Sequence, residues 1–293
     1  MTREVSNPNG AEFFEIRFES IGGLGAHVAG KIVAGAAVLR MHLNGSHFSS
    51  YGSEKKGSVV RSFIRLAPAD KAIRTSAPIE EPDVIVVFHS GLLAHPATLS
   101  GLKANGIVIY AGIDGDIPDG LTRVPKTAKV IRVDAQKIAF EEKSRENAVL
   151  IGTLAAAVAY LDRQAVLDAL DATFAGKSAK IVTANKRAFN RGAKEIEVIR
   201  NIGQQDGAVP TMQSNPVWGY KSAPLGGVLP TPGNTAHNDL HTSRTGWMPV
   251  LDQEKCIDCG MCDMVCPDLC LVWSTHTGED GKPVVKLDGI DYQ

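Results

Sequence analysis

Twelve residues near the C-terminal end constrain this chain more than any other stretch: Cys256-Ile-Asp-Cys259-Gly-Met-Cys262-Asp-Met-Val-Cys266-Pro267. Four of the five cysteines fall there, and the last, Cys270, follows at once. The spacing C-x2-C-x2-C-x3-C-P is the run that holds a 4Fe-4S cluster. Thiolates with two residues between them can wrap one face of a cubane. Two other readings compete. A structural zinc site generally uses two separated C-x2-C knuckles rather than a triple run. A disulfide framework would spread its cysteines along the chain, whereas the first 255 residues contain none. The run therefore makes Cys256, Cys259, Cys262 and Cys266 the candidate metal ligands, and the cysteine-free remainder fits a reducing, cytoplasmic setting.

A length of 293 residues suggests two domains at about 150 residues each. The formal net charge of -1 supplies no general attraction to nucleic acid or to an acidic membrane surface. The start, Met1-Thr2-Arg3-Glu4-Val5, leads into Asn7-Pro8-Asn9-Gly10 without the apolar core of a signal peptide. The longest apolar run, Ala148 to Leu161, is interrupted by Gly152 and Thr153. It falls short of the roughly 20 residues a bilayer requires and reads as a buried helix.

Phe14, Ile16 and Phe18 alternate with Glu15, Arg17 and Glu19, the period of a strand. The turn Ile21-Gly22-Gly23-Leu24-Gly25 follows, and then Val28, Ile32, Val33, Ala36, Ala37 and Leu39 recur at helical spacing. Strand, glycine turn and helix open an α/β domain. After a polar stretch from Asn44 to Gly57, Val59 to Leu66 predicts a second strand. The continuous apolar runs Asp83 to Phe88 and Gly106 to Tyr110 have the length and character of strands covered on both faces. Pro96 to Asn105 reads as a crossover helix between them, which predicts parallel pairing. Lys129 to Val133 is a shorter strand. Two helices follow, about Asn147 to Leu161 and around Val166, Leu167, Leu170 and Phe174, with a last one over Lys186 to Ile199.

The character changes near Ile202. From Gly203 to Pro249 the chain is rich in proline and glycine with little periodicity, so this segment builds no core of its own. The aromatic groups Trp218, Tyr220 and Trp247 favour an ordered arm lying on a surface over a free linker.

A glycine turn at a helix N-terminus is a candidate phosphate site, because the free N-H groups and the positive dipole end face it. Gly22, Gly23 and Gly25 are the residues in question. The dinucleotide fingerprint is incomplete, since Val28 occupies the third glycine position and Asn44-Gly45 stands where a ribose-binding acid belongs. A tight turn with close helix packing explains the same glycines. His237 and His241 lack the glutamate of a zinc-protease helix, and Asp114-Gly115-Asp116 is accounted for by a turn. No self-sufficient catalytic constellation emerges.

Two stretches carry a family resemblance. Phe14 to Leu39 with Gly22-Gly23-Leu24-Gly25, followed by Ser50-Tyr51-Gly52-Ser53-Glu54-Lys55-Lys56-Gly57-Ser58, resembles the gamma subunit of 2-oxoacid:ferredoxin oxidoreductases, the pyruvate synthase family. Relatives carry glutamine at Leu24, arginine at Lys56 and glycine at Ser58. Pro232 onward through Trp247 and the cysteine run to Gln293 resembles the delta subunit, a ferredoxin with a polar extension. The resemblance implies an α/β chain in three parts. A Rossmann-like gamma domain with a mostly parallel sheet spans 1–202, an extended Pro/Gly-rich arm 203–249, and the first half of a bacterial ferredoxin-like α+β domain 250–293.

It further implies oxidative decarboxylation of a 2-oxoacid on thiamine diphosphate and magnesium held by alpha and beta subunits, with coenzyme A as a candidate co-substrate at the glycine turn. This chain would be a non-catalytic, electron-transferring subunit handing electrons to ferredoxin or to a flavin subunit. In two-cluster ferredoxins the fourth cysteine of each run ligates the other cluster, and a second run does not follow Cys270. Either the sequence is truncated, or a partner chain completes the fold, or Cys266 or Cys270 closes one local cluster. Cys270 otherwise reads as a buried thiol. The rival function is a free-standing redox adaptor whose ferredoxin tail serves a flavoprotein.

Overall fold

The computed structural model describes residues 12–52, 58–212, 255, 257, 259, 261–265, 272–277 and 283–288. It divides into two compact units, Met1–Met212 and Gln213–Gln293.

The first unit is built on a seven-stranded sheet. Its elements in chain order are β1 (Phe14–Ile21), α1 (Ala26–Arg40), β2 (Asn44–Tyr51), β3 (Val59–Ala67), β4 (Val84–Val87), β5 (Ile107–Ala111) and β6 (Lys129–Val133). Four helices then follow in succession, α2 (Ala135–Glu142), α3 (Glu146–Ala157), α4 (Arg163–Phe174) and α5 (Ala179–Gly192), before the short β7 (Glu197–Ile199). The spatial order is β2-β3-β1-β4-β5-β6-β7. The central strands β1, β4, β5 and β6 pair in parallel, while β3 on β1, β2 on β3 and β7 on β6 are antiparallel.

Strand periodicity sorts the core into two layers. Ile16, Phe18, Val84, Val86, Ile109 and Ile131 face a helical layer that includes Ile32, Val33, Leu150 and Phe189. Ile85, Val87, Val108, Tyr110 and Val130 face the opposite way, onto Leu93, Leu99, Leu102, Leu121 and Val124. Coverage on both faces is why β4 and β5 are continuous apolar runs. Helix α3 is buried over nine consecutive residues, Asn147 to Ala155, as its all-round apolar sequence requires. Asp134 and Asp162 cap α2 and α4 by accepting the N–H groups of Lys137 and Ala165 at 2.9 and 2.8 Å.

Three expectations need correction. The crossover between β4 and β5 contains no α-helix over 96–105. It consists of 3-10 turns at Ser90–Ala94 and Pro96–Thr98, and at Gly101, with φ +73°, a Cβ would lie 1.7 Å from the Glu80 carbonyl oxygen. Ten residues with a proline at one end and a left-handed glycine inside cannot run as one helix. The stretch after Asn44 contains strand β2, which is polar because it is the edge of the sheet and rests only one face on α1. The last helix starts at Ala179 rather than Lys186, and its expected C-terminal end is strand β7, held where Arg132 pairs with Glu197.

In the second unit the described elements are α6 (Met261–Val265) and a hairpin of β8 (Val272–Thr277) and β9 (Pro283–Asp288), paired from Val272↔Asp288 to Thr277↔Pro283. The aromatic residues of the arm lie outside the described residues. Residues 203–212 belong to the first unit, with Gln204 and Val209 donating their N–H groups to the carbonyls of Thr122 and Leu102.

Candidate functional site

The glycine turn sits at the C-terminal end of β1, the end at which open parallel sheets bind ligands. Gly22 donates its N–H to the Ser58 carbonyl at 2.9 Å and Leu24 to the Ile21 carbonyl at 3.2 Å. Gly23 and Gly25 have φ of +106° and +85°, so both positions favour glycine on backbone grounds. Gly25 is the N-cap of α1 and supplies no side-chain cap. Its missing Cβ makes room for Asn147 of α3, whose Nδ2 would lie 2.7 Å from that Cβ and donates to the Gly25 carbonyl at 3.4 Å. Around Gly23 there is nothing within 4 Å of where a Cβ would be. The turn therefore has a packed end at Gly25 and an open one at Gly23. Val28, in the third glycine position of the fingerprint, is 36% exposed on the first turn of α1.

Beside the turn lies a polar cluster that sequence reading missed. His27 of α1 contacts Ser49 of β2 through Nδ1 at 3.0 Å, and Ser49 Oγ lies 2.5 Å from Ser62 Oγ and 3.4 Å from His47 Nε2. The two imidazole rings have centroids 5.0 Å apart. His47 packs over Gly30, where a Cβ would meet its Nε2 at 2.4 Å. Burial first, then His27 and Lys31, depress the His47 pKa to about 4, so the ring is neutral near pH 7. No periodic pattern marks these residues, because they come from α1, β2 and β3.

The other face of β1 carries charge. Glu19 and Arg17 are 1% and 4% exposed. Arg61 of β3, opposite Glu19 in register, donates Nε–H to both Glu19 oxygens at 3.0 and 3.2 Å. Arg17 Nε approaches Glu19 Oε1 at 2.9 Å as an ion-pair contact rather than an aligned hydrogen bond. Its terminal nitrogens donate to the carbonyls of Ile79, Thr98 and Ser100. One step along, Arg65 donates to Glu15 at 2.6 Å. Burial pushes the Glu19 carboxyl up against the opposing pull of both guanidiniums, and lowers Arg17. A signal was present in the sequence: Glu15, Arg17 and Glu19 alternate as Arg61 and Arg65 do, and two such strands are complementary when paired.

Of the candidate cluster ligands, Cys259 is exposed and Cys262 lies on α6, three residues on. Cys256, Cys266 and Cys270 lie outside the described residues. Two cysteines three residues apart, the second on a short helix, are soft donors of the kind an iron–sulfur cluster takes. Among the described residues no helix is long and apolar enough to cross a membrane.

An α/β domain with a glycine turn after its first strand, followed along the chain by a cysteine run of iron–sulfur type, defines a two-part iron–sulfur redox protein. The chain belongs to the pyruvate ferredoxin/flavodoxin oxidoreductase family, whose profile matches residues 15–195. A 4Fe-4S binding domain profile matches residues 247–268. Pyruvate synthase subunit PorC of Thermotoga maritima is 32% identical over 193 residues, covering 65% of this chain and 98% of its own length. The pyruvate/ketoisovalerate oxidoreductases common subunit gamma of Pyrococcus abyssi is 35% identical over 182 residues, 60% of this chain and 96% of its own. The crystal structure of the Thermotoga maritima subunit superposes with a TM-score of 0.55 at 29% identity, covering 64% of this chain and 99% of that one. The fold recurs in 2-oxoglutarate:ferredoxin oxidoreductase from Magnetococcus marinus at a TM-score of 0.53 and 21% identity, over 68% of this chain and 34% of that one.

Proposed function

We propose that this chain is a fused gamma and delta subunit of a thiamine diphosphate-dependent 2-oxoacid:acceptor oxidoreductase, cytoplasmic and without a catalytic constellation of its own. The observation that carries the reading is the presence on one chain of the gamma-type match at 15–195 and the iron–sulfur match at 247–268. On this reading the chain carries a gamma part over 1–202, an arm over 203–249 and a ferredoxin-like part over 250–293. Alpha and beta partner subunits would hold thiamine diphosphate and magnesium and carry out the decarboxylation. Ferredoxin or a flavin subunit would take the electrons, and a further chain is a candidate to complete the ferredoxin fold.

Cys256, Cys259, Cys262 and Cys266 would hold the cluster's iron, with Cys266 serving a second cluster if one is completed. When bound, a 4Fe-4S cluster accepts and passes on single electrons. At the glycine turn, Gly25 is committed to Asn147, and the open side of Gly23 with Gly22 is what remains for a phosphate or coenzyme A. The test is to purify the native complex, identify its subunits and assay a panel of 2-oxoacids for reduction of a viologen dye. A complex without thiamine diphosphate and without 2-oxoacid-dependent reduction refutes the proposal.

A further inference from the structure

An open cavity of about 660 Å³ lies on the charged face of β1, beside the buried Glu19. Its size is that of a small-molecule site. None of the three turn glycines lines it. Its polar wall is made by Glu19, Ser50, Arg61 and His95, its apolar wall by Val59 and Leu92.

The polar wall is rich in donors. Arg61 lines the cavity, spends only its Nε–H on Glu19 and has a side chain 39% exposed, and its two terminal nitrogens have no partner among the described residues. The planar fork of those two nitrogens matches the oxygens of a carboxylate or phosphoryl group. His95 accepts the Ala97 N–H at Nδ1, at 3.2 Å, so the neutral ring carries its proton on Nε2 and presents a second donor. The hydroxyl of Ser50, which faces the same side of the sheet as Arg61, has no hydrogen bond to another described residue.

Charge points the same way. Two guanidiniums, Arg17 and Arg61, surround the single carboxyl of Glu19, so the group is positive in either protonation state of Glu19. Glu19 also holds Arg61 in place, since both carboxylate oxygens contact the same Nε–H and restrict the guanidinium's swing. A fixed, outward-facing cationic fork over an apolar wall selects an oxyanion attached to an apolar body.

We propose that this cavity binds a small ligand bearing a carboxylate or phosphoryl group, read by Arg61 with support from His95 and Ser50, its apolar part lying against Val59 and Leu92. The inference is independent of the assignment of the chain to a complex.

Isothermal titration of the full chain with phenyl phosphate, benzoate and benzyl alcohol tests it. The two oxyanions are expected to bind saturably at one site and the neutral alcohol not to bind; the stronger oxyanion tells phosphoryl from carboxylate preference. Arg61→Gln is expected to weaken oxyanion binding about tenfold or more, as for loss of charge-assisted hydrogen bonds. Because removing Arg61 leaves buried Glu19 less compensated, thermal unfolding of that variant is measured alongside. Ala94→Glu places a carboxylate on an exposed wall residue of the cavity without touching Glu19, and is expected to weaken binding by a similar factor. Saturable binding lost in Ala94→Glu and in a folded Arg61→Gln supports the site. No saturable oxyanion binding, equal binding of benzyl alcohol, or affinity unchanged in Ala94→Glu overturns it.

Discussion

Gly25→Ala separates two reasons for glycine in the turn, backbone conformation and room for a neighbour. At φ +85° an alanine carries a left-handed strain of about 1–2 kcal/mol. Its Cβ would also lie 2.7 Å from Asn147 Nδ2, whereas ordinary contact begins at 3.4 Å, so Asn147 must retreat. That retreat breaks an already long hydrogen bond, Nδ2 to the Gly25 carbonyl at 3.4 Å. Steric displacement and the lost bond together add about 1 kcal/mol, for a total of about 2–3 kcal/mol. Gly23→Ala, at φ +106° with nothing within 4 Å, meets strain alone, about 1–3 kcal/mol. The two totals overlap, so the decisive quantity is the coupling to Asn147. In the pair Gly25→Ala with Asn147→Ala the clash is gone, and the double variant should be about 1 kcal/mol less destabilised than the sum of the singles. Gly23→Ala and Asn147→Ala should add. Urea unfolding of the full chain followed by circular dichroism gives each free energy. Additivity at Gly25, within the error of the cycle, would refute the claim that Asn147 packing demands glycine there.

Three further outcomes follow from the structure. Gly152→Ala should destabilise by about 1–3 kcal/mol, because its Cβ would sit 2.1 Å from the Phe189 carbonyl oxygen where α3 crosses α5. Gly35→Ala, mid-helix with open space, should instead stabilise by about 0.5–1 kcal/mol, and the unfolding midpoints of the two variants should therefore move in opposite directions. His47, with its pKa lowered to about 4 against about 6.5 unfolded, stays neutral in the fold while the unfolded chain takes up a proton. Its contribution is complete above pH 6.5 and lost as pH falls toward 4. The full shift would be worth about 3 kcal/mol, reduced to about 1–2 for a half-exposed ring, and His47→Gln should flatten this part of the stability profile relative to the parent. Finally, Cys259→Ser should lower iron and acid-labile sulfide per chain while Cys270→Ser leaves both unchanged; loss of iron in the second variant would make Cys270 a ligand.

Local pattern determined a large part of this molecule. The alternation of Phe14, Ile16 and Phe18 with charged neighbours, the double-sided apolar runs of β4 and β5, and the all-round apolar α3 are each dictated by which side of an element is covered. The cysteine run is legible because cluster ligation requires its donors close together in sequence. Contacts between distant segments leave no such period. Strand β2 reads only as a polar stretch because an edge strand buries one face, and its identity is settled by pairing with β3. The crossover after β4 has the length of a helix and becomes 3-10 turns because Gly101 must pass against the Glu80 carbonyl. At the candidate site, the glycines were visible in the sequence, but the division of the turn into a packed Gly25 and an open Gly23 depends on Asn147 arriving from α3, 122 residues away. The buried Glu19 with Arg17 and Arg61 likewise exists only through the register of β1 and β3. Sequence determined the elements and the cluster chemistry; tertiary structure decided which polar groups are desolvated and paired, because burial and pairing are properties of neighbours in space.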